Sequence, residues 1–260
     1  MIRNLTVDGR KIALRVNDSG WREGRKALFF IHGSGCDHHL WDGQYGPLGE
    51  EFNVAGIDLP GHGASDGAGE ESVDAYVAWV RKALNAAGLK RPVLVGHSLG
   101  AAISLTFALR YGEELLAIVP VGGGATMPVN PQILEGIMTD RRTTIGFIAK
   151  FSFARENRSK FEEEMTEALM KVDPALVRGD FLACSRLDLT AQLERIAVPA
   201  LFVCGEEDKM TPPEFSRFMA GRISGAELRL VPGAGHFVMW ETAGALNEVL
   251  GDFTRRLPER

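Results

Sequence analysis

The sequence predicts an α/β fold: a mostly parallel sheet flanked by helices, with a helical cap inserted into it. Short apolar runs alternate along the chain with longer amphipathic stretches, which is typical of βαβ units. Several of these runs lead within two residues into a glycine, as expected where a buried strand ends in a tight loop. The alternation stops once, between residues 126 and 190, where only helical spacing is found.

The predicted strands differ in how they are buried. Residues 11–16, KIALRV, alternate apolar and polar side chains and are expected to form a two-faced edge strand. Other runs are apolar throughout, as in strands covered on both faces: ALFFI at 27–31, VLV at 93–95, LAIVPV at 116–121 and ALFVC at 200–204. A helix is predicted over residues 72–88, because a capping serine begins it, a glycine ends it and its apolar residues share one face.

The block at 126–190 is predicted to form the cap, and residues 1–125 and 191–260 the core domain. Its apolar residues recur at helical spacing, as in Ile133 with Ile137 and Phe147 with Phe151. A block inserted between two buried strands is expected to cover the carboxyl ends of the sheet. The alternative is a surface decoration unrelated to any site.

Composition excludes several classes of function. With 29 Lys and Arg against 34 Asp and Glu, the net charge of −5 provides no basic field for nucleic acid or an anionic membrane. The 3 cysteines are widely spaced and argue against disulfides and zinc, and no histidine pair has HExxH spacing. Neither a signal peptide nor an apolar span is visible, so a cytoplasmic protein without metal or cofactor is expected, whose partner is a small-molecule substrate.

Two serines fit the pattern Gly-x-Ser-x-Gly, Ser98 in GHSLG and Ser65 in GASDG. Ser98 follows a buried strand directly and precedes a helical pattern, which gives the strand-turn-helix context of a nucleophile. Gly96 and Gly100 would allow the close backbone approach that such a strained turn needs. Ser65 lies in a polar glycine-rich loop and is expected to be structural.

A serine nucleophile needs a base and a carboxylate that orients the base. His236 follows a strand run and a glycine loop, so it is predicted at the same sheet edge as Ser98. Asp208 lies just beyond the strand at 200–204 and is preferred to its neighbours Glu206 and Glu207. The backbone amides of Ser34 and Leu99 are the predicted oxyanion donors. A phosphate-binding loop at HGSG is the weaker alternative, because it lacks the Walker and dinucleotide patterns.

These residues resemble the α/β-hydrolase superfamily, in particular its small capped esterases. The resemblance rests on HGSG at 32–35, DLPGHGASD at 58–66, GHSLG at 96–100, GEEDKMTP at 205–212 and GAGHF at 233–237. It implies the α/β-hydrolase fold, with Ser98 as nucleophile, His236 as base and Asp208 as its orienting acid. It also implies that the 58–66 loop is structural, so no role is assigned to His62 or Asp66.

The resemblance also separates subfamilies. Dehalogenases and epoxide hydrolases of this family carry aspartate in place of Ser98, and C–C hydrolases usually show other residues after the oxyanion glycine. Hydrolysis of a carboxylic ester or thioester through an acyl-Ser98 intermediate is therefore the predicted activity. The alternatives are a lactonase, a C–C bond hydrolase, or a ligand-sensing protein with slow turnover.

The substrate pocket is predicted from the cap. Its 9 Lys and Arg nearly balance its 10 Asp and Glu, so apolar contacts should dominate. Phe147, Phe151, Phe153 and Met138 are expected to face Trp41 and Phe237 of the core domain. Neutral esters with short to medium acyl chains should then be preferred. Cys36 is interpreted as a small apolar filler near the oxyanion loop.

Overall fold

The computed structural model describes residues 1–18 and 20–258. Its centre is an eight-stranded sheet in the order β1-β2-β4-β3-β5-β6-β7-β8. The strands are β1 (Ile2–Val7), β2 (Arg10–Val16), β3 (Ala27–Ile31), β4 (Asn53–Ile57), β5 (Val93–His97), β6 (Ala117–Val121), β7 (Leu201–Gly205) and β8 (Glu227–Val231). β2 runs antiparallel to both neighbours, and the strand pairs from β4 to β8 are parallel. The carboxyl ends of the parallel strands therefore share one edge.

The helices are α1 (Asp42–Gly49), α2 (Val73–Ala87), α3 (Leu99–Tyr111), α4 (Pro131–Thr139), α5 (Arg141–Ser152), α6 (Arg158–Lys171), α7 (Pro174–Ser185), α8 (Pro213–Arg222), α9 (Val238–Glu241) and α10 (Ala243–Arg256). α2 forms as predicted: the Ser72 hydroxyl accepts the Ala75 amide, and Gly88 ends the helix in the left-handed conformation at φ 72°. The helix boundary signals in the sequence were sufficient here. In the described residues, no helix is long and apolar enough to cross a membrane.

Helices cover both faces of the sheet, so the apolar strands are buried on both sides. In β3, Phe29 and Ile31 point into one apolar layer, and Leu28 and Phe30 point into the other. All four side chains are fully buried. This confirms the prediction drawn from continuous apolar runs and gives the site a rigid base.

The prediction that KIALRV forms an edge strand was wrong. β1 pairs with β2 and takes the edge position, and residues Ile2 to Val7 align with Arg15 to Arg10. Asp8 and Gly9 connect the two strands, with φ of 49° and 76°. Two positive φ angles are what a tight hairpin turn requires, and Asp-Gly is a strong signal for one.

Between β6 and β7 the chain forms α4 to α7, in the block where a cap is predicted. At its base, Thr126 forms an isolated antiparallel bridge with Asp188, and the Leu189 amide donates to the Ala125 carbonyl at 2.9 Å. α7 packs on α3, the helix that follows Ser98. The block therefore begins and ends at neighbouring points of the structure.

Candidate active site

Ser98 occupies a sharp turn between β5 and α3. Its φ and ψ are 53° and −110°, a conformation that non-glycine residues rarely adopt. A Cβ on Gly96 would lie 1.9 Å from the Gly100 carbonyl oxygen, and one on Gly100 would lie 2.3 Å from the Ile31 carbonyl oxygen. Only glycine fits at these two positions, which is the physical reason for the spacing of the motif.

Ser65, the other serine that fits the motif, has a structural role: its hydroxyl is bonded to the backbone. Its hydroxyl accepts the Ala13 amide at 2.9 Å and donates to the Asp58 carbonyl at 2.6 Å. The first bond ties the loop after β4 to strand β2, and the second closes that loop on itself. The hydroxyl is committed to the backbone, and in the described residues it forms no hydrogen bond with a histidine ring that could act as a base.

Asp208 and His236 form a buried hydrogen-bonded pair. Nδ1 of His236 lies 2.9 Å from Oδ2 of Asp208, and the two residues are 4% and 3% exposed. The same Oδ2 accepts the Thr211 hydroxyl at 2.9 Å. Oδ1 accepts the backbone amides of Met210 and Thr211 at 2.9 and 2.8 Å. Each carboxylate oxygen therefore has fixed donors, which holds Asp208 in one orientation.

This arrangement determines the tautomer of His236. Because Asp208 Oδ2 is an acceptor, Nδ1 of His236 carries the hydrogen and Nε2 keeps its lone pair. The backbone of His236 is held as well, since its amide donates to the Ser152 carbonyl at 2.7 Å and its carbonyl accepts Nε2–H of His97 at 3.1 Å. His97 is fully buried, and burial holds its pKa well below the usual value, so it stays neutral.

Ser98 and His236 line one cavity of about 320 Å³. Its walls are formed by Ser34, Ser98, Met127, Pro128, Val129, Asn130, Ile133, Phe147, Phe151, Phe181, Cys184, Lys209, Met210, Thr211 and His236. Ser98 is partly exposed there, and its side chain forms no hydrogen bond with the described residues. Nucleophile and base thus share one space, and bonds of this kind often tighten only when substrate is bound.

Of the two predicted oxyanion donors, Ser34 lines the same cavity, and Leu99 follows Ser98 directly in the chain. A Cβ on Gly33 would lie 3.3 Å from the Ser98 Cβ, so the loop after β3 runs directly against the nucleophile. Leu99 is the first residue of α3, and its amide has no acceptor within the helix. Within the described chain, neither this amide nor that of Ser34 donates to another group. Both remain free to bind negative charge.

The predicted substrate residues divide into two groups. Phe147 and Phe151 line the cavity, with their ring centroids 4.7 Å apart. Trp41 and Phe237 do not, and that part of the prediction was wrong. Trp41 is fully buried against Phe30, with ring centroids 4.8 Å apart, and Phe237 is 3% exposed among aromatic rings of the core.

Two further cap residues predicted to face the substrate also lie elsewhere. Phe153 is fully buried and packs against Phe161 and Phe237, whereas Met138 is 51% exposed at the surface. Residues that sequence reasoning missed take their place, among them Met127, Ile133 and Phe181. Ile133 is apolar at helical spacing from Ile137, but this spacing is the same for a residue in a cavity wall and for one in a packed core.

The cysteines near the site are protonated thiols. Burial raises the pKa of Cys184, which lines the cavity, to about 12. Burial also raises the pKa of Cys36 far above its usual range, and Cys36 packs against an apolar cluster. Neither thiol has the depressed pKa of a nucleophile, which agrees with Cys36 as a filler.

Residues 28–249 match the alpha/beta hydrolase family. The chain belongs to this family.

A 2-hydroxy-6-oxononadienedioate/2-hydroxy-6-oxononatrienedioate hydrolase of Paraburkholderia phymatum is 30% identical over 277 residues, covering 96% of this chain and 93% of the relative. The structure of a thermophilic esterase is similar with a TM-score of 0.85 and 34% identity, covering 98% of both chains. An enol-lactonase from Burkholderia xenovorans has a TM-score of 0.89 at 20% identity, covering 98% of this chain and 100% of the other. The predicted α/β-hydrolase fold is confirmed, and the chain is a hydrolase.

Proposed function

We propose that this hydrolase cleaves carboxylic esters or thioesters through an acyl-Ser98 intermediate. The observation that supports the proposal best is the Asp208–His236 pair, with a 2.9 Å bond, whose His236 lines the cavity that also exposes the strained Ser98. Nucleophile, base and orienting carboxylate follow the chain order of the fold. These groups supply the complete acid-base chemistry of acyl transfer, so the mechanism needs no metal or cofactor.

In the first half of the reaction, the Ser98 hydroxyl attacks the carbonyl carbon while Nε2 of His236 takes its proton. The negative charge that develops on the carbonyl oxygen is accepted by the amides of Ser34 and Leu99. Each such donor contributes about 10²- to 10³-fold in rate. The tetrahedral intermediate then collapses, and His236 returns the proton to the departing alcohol or thiol.

In the second half, His236 deprotonates a water molecule that attacks the acyl-Ser98 carbonyl. The same two amides accept the oxyanion, and collapse releases the acid and restores Ser98. Asp208 keeps the hydrogen of His236 on Nδ1 and stabilises the imidazolium in both halves. Thr211 supports this role, because its hydroxyl lies 2.9 Å from Oδ2 of Asp208 and 3.2 Å from Nδ1 of His236.

The lining of the cavity favours neutral esters. Its largest side chains are apolar, notably Phe147, Phe151 and Phe181. The volume of about 320 Å³ limits how much of an acyl chain fits. Each buried methylene contributes about 0.8 kcal/mol, so kcat/KM should rise with chain length until the cavity is filled and then fall. None of the cap arginines is among the residues that line it, but Lys209 is, on the loop after β7.

Lys209 gives a second candidate some support. A dienedioate carries two carboxylates, and the relative from Paraburkholderia phymatum is named for hydrolysing one. A cation beside Ser98 and His236 would suit an anionic substrate, as in a C–C bond hydrolase. The apolar walls and the 34% identical esterase structure favour the neutral ester.

The test is a panel of p-nitrophenyl esters from acetate to dodecanoate, with one carboxylate-bearing ester and one dienedioate. Wild type should turn over many equivalents of a neutral ester, and Ser98→Ala should lose about 10³-fold or more. A fluorophosphonate probe should label wild type and Ser65→Ala but not Ser98→Ala. A preference for the dienedioate would replace the ester proposal, and a single burst without turnover would indicate a ligand-sensing protein.

A further inference from the structure

A fully buried carboxylate of the cap lies outside the catalytic residues described above. Asp180, on α7, is 0% exposed, and its oxygens have donors from three parts of the core domain. Oδ2 accepts the Gly35 amide at 2.8 Å and faces Nε2 of His62 at 2.9 Å. Oδ1 accepts the Tyr76 hydroxyl at 2.5 Å. Through Asp180, the cap thus contacts the loop after β3, the loop after β4 and helix α2.

The hydrogen-bond partners of His62 determine its charge. Its Nδ1 faces the Pro60 carbonyl at 3.0 Å, and its Nε2 faces Asp180. Because both partners are acceptors, both ring nitrogens carry hydrogen and His62 is an imidazolium. Burial lowers the pKa of His62, but the charge and hydrogen bond of Asp180 outweigh that effect and raise it. His62 and Asp180 therefore form a buried ion pair.

The neighbouring histidine has the opposite state. His32 accepts the Leu59 amide at Nε2, at 3.0 Å, and its Nδ1 donates to the Gly33 carbonyl at 2.8 Å. It is neutral, and burial lowers its pKa to about 4. The ring centroids of His32 and His62 lie 4.8 Å apart. Of these two histidines, only His62 carries a positive charge beside Asp180.

The bond from Asp180 reaches the loop that carries the first oxyanion donor. Gly35 follows Ser34 directly, and its φ of 66° places its backbone against the cap: a Cβ there would lie 2.6 Å from the Leu169 side chain. The loop is otherwise closed by a turn in which the Cys36 amide donates to the Gly33 carbonyl at 3.1 Å. A charge-assisted bond to the Gly35 amide fixes the peptide between Ser34 and Gly35, which adjoins the peptide that carries the Ser34 amide.

We infer that Asp180 is a positioning residue for the oxyanion hole: it holds the Gly35 amide and thereby aims the Ser34 amide at the developing charge. The inference rests on the proposed function, because it assumes that the Ser34 amide binds an oxyanion. It makes docking of α7 a condition for full activity. Phe181 and Cys184 of the same helix line the cavity. Helix α7 therefore contacts both the substrate cavity and the loop that carries Ser34.

The test compares Asp180→Asn with wild type by the affinity for two ketones. A trifluoromethyl ketone matched to the best acyl chain adds to Ser98 and places an oxyanion in the hole. The matching methyl ketone is a ground-state ligand. Asp180→Asn should weaken trifluoromethyl ketone binding and lower kcat/KM in parallel, by about 10- to 100-fold, because the hole is misaligned. KM and methyl ketone binding should change less than about threefold.

Tyr76→Phe is the matched control. It removes the donor to Oδ1 but leaves the bonds of Oδ2 to Gly35 and His62. It should lower the melting temperature without a comparable loss of trifluoromethyl ketone affinity. Asp180→Glu keeps the charge and moves the carboxylate by one methylene. If Asp180→Asn fails to fold, Asp180→Glu should still bind the trifluoromethyl ketone more weakly while its affinity for the methyl ketone stays nearly unchanged.

The inference is wrong if folded Asp180→Asn and Asp180→Glu bind both ketones as wild type does. It is also wrong if both ketones weaken equally, because a general structural role would produce that result. A wild type that neither turns over esters nor binds the trifluoromethyl ketone would instead overturn the proposed function itself. The two failures are therefore distinguishable on the unmodified protein.

Discussion

Asp208→Asn probes the tautomer of His236, and the structure fixes how the new amide must lie. Oδ1 of Asp208 accepts two backbone amides, at 2.9 and 2.8 Å, so that position requires the amide oxygen of asparagine. The amide nitrogen is then placed where Oδ2 now faces Nδ1 of His236. An N–H group at this point donates to Nδ1, and the hydrogen of His236 must move to Nε2.

The expected loss follows from that shift. With hydrogen on Nε2, His236 presents a donor to Ser98 and has no lone pair to take its proton. A triad with the wrong tautomer loses about 10⁴-fold in kcat, which corresponds to about 5 kcal/mol on the activation barrier. The fold should survive, because the Thr211 hydroxyl can rotate to accept from the new amide. We expect the melting temperature to fall by only a few degrees.

The assay is steady-state hydrolysis of the best p-nitrophenyl ester, combined with thermal unfolding of each variant. Glu207→Gln is the matched control, because Glu207 is the adjacent acid, is exposed and, in the described residues, accepts only the Arg155 amide with its side chain, at 3.2 Å. It should keep kcat within about threefold of wild type. A folded Asp208→Asn that keeps more than a tenth of the wild-type kcat would refute the tautomer argument, as would exchanged results for the two variants.

Three further outcomes follow from the structure. Ser98→Gly should raise the melting temperature by a few degrees, because it relieves about 1–2 kcal/mol of strain at φ 53°, whereas Ser98→Ala should not. Gly96→Ala should give little folded protein, since its Cβ would lie 1.9 Å from a carbonyl oxygen; normal soluble yield would contradict this. His32 has its pKa lowered to about 4, so it stabilises the fold above pH 6.5 and loses that contribution as the pH falls toward 4. Urea unfolding at pH 7 and 4.5 should show a loss roughly 2–3 kcal/mol larger for wild type than for His32→Gln, and equal losses would exclude His32 as the cause.

The parts of the fold that were predictable have local signals. A continuous apolar run identifies a strand buried on both faces, and Ser72 and Gly88 mark the ends of α2. The strand-turn-helix context distinguished Ser98 from Ser65, because only one of them follows a buried strand. β1 was missed although Asp8-Gly9 marks its hairpin, since only Leu5 and Val7 of this short strand are buried and Arg3 interrupts their alternation.

The substrate pocket was only half predictable, for a physical reason. Helical spacing shows that Phe147, Phe151 and Phe153 lie on apolar faces, but packed cores and cavity walls are equally apolar. Phe153 is 0% exposed and Phe147 is 54% exposed, a difference that depends on the elements packed against them. Trp41 likewise follows the oxyanion loop in sequence, yet its side chain packs in the apolar layer that contains Leu28 and Phe30 of β3.

Asp180 shows the same limit for charge. In the sequence it is one of the 10 acidic residues of the cap, whose charges nearly cancel those of its 9 basic residues. No neighbouring residue distinguishes it from the others. Its partner His62 is 118 residues away in the chain. Only the docking of α7 on the loops of the core domain brings the two together, so no pattern within the cap could have revealed the pair.

The segment between β6 and β7 is anchored near both catalytic loops by hydrogen bonds. Beside the base, Glu241 accepts the Gly235 amide with one oxygen, at 2.8 Å, and the Ala154 amide with the other, at 2.8 Å. Beside the oxyanion loop, Asp180 accepts the Gly35 amide. A rigid-body lift of all four helices would break both anchors and disturb His236 and Ser34 together. Access for substrate therefore does not require all four helices to lift, because Phe147 lines the cavity and is itself 54% exposed to solvent.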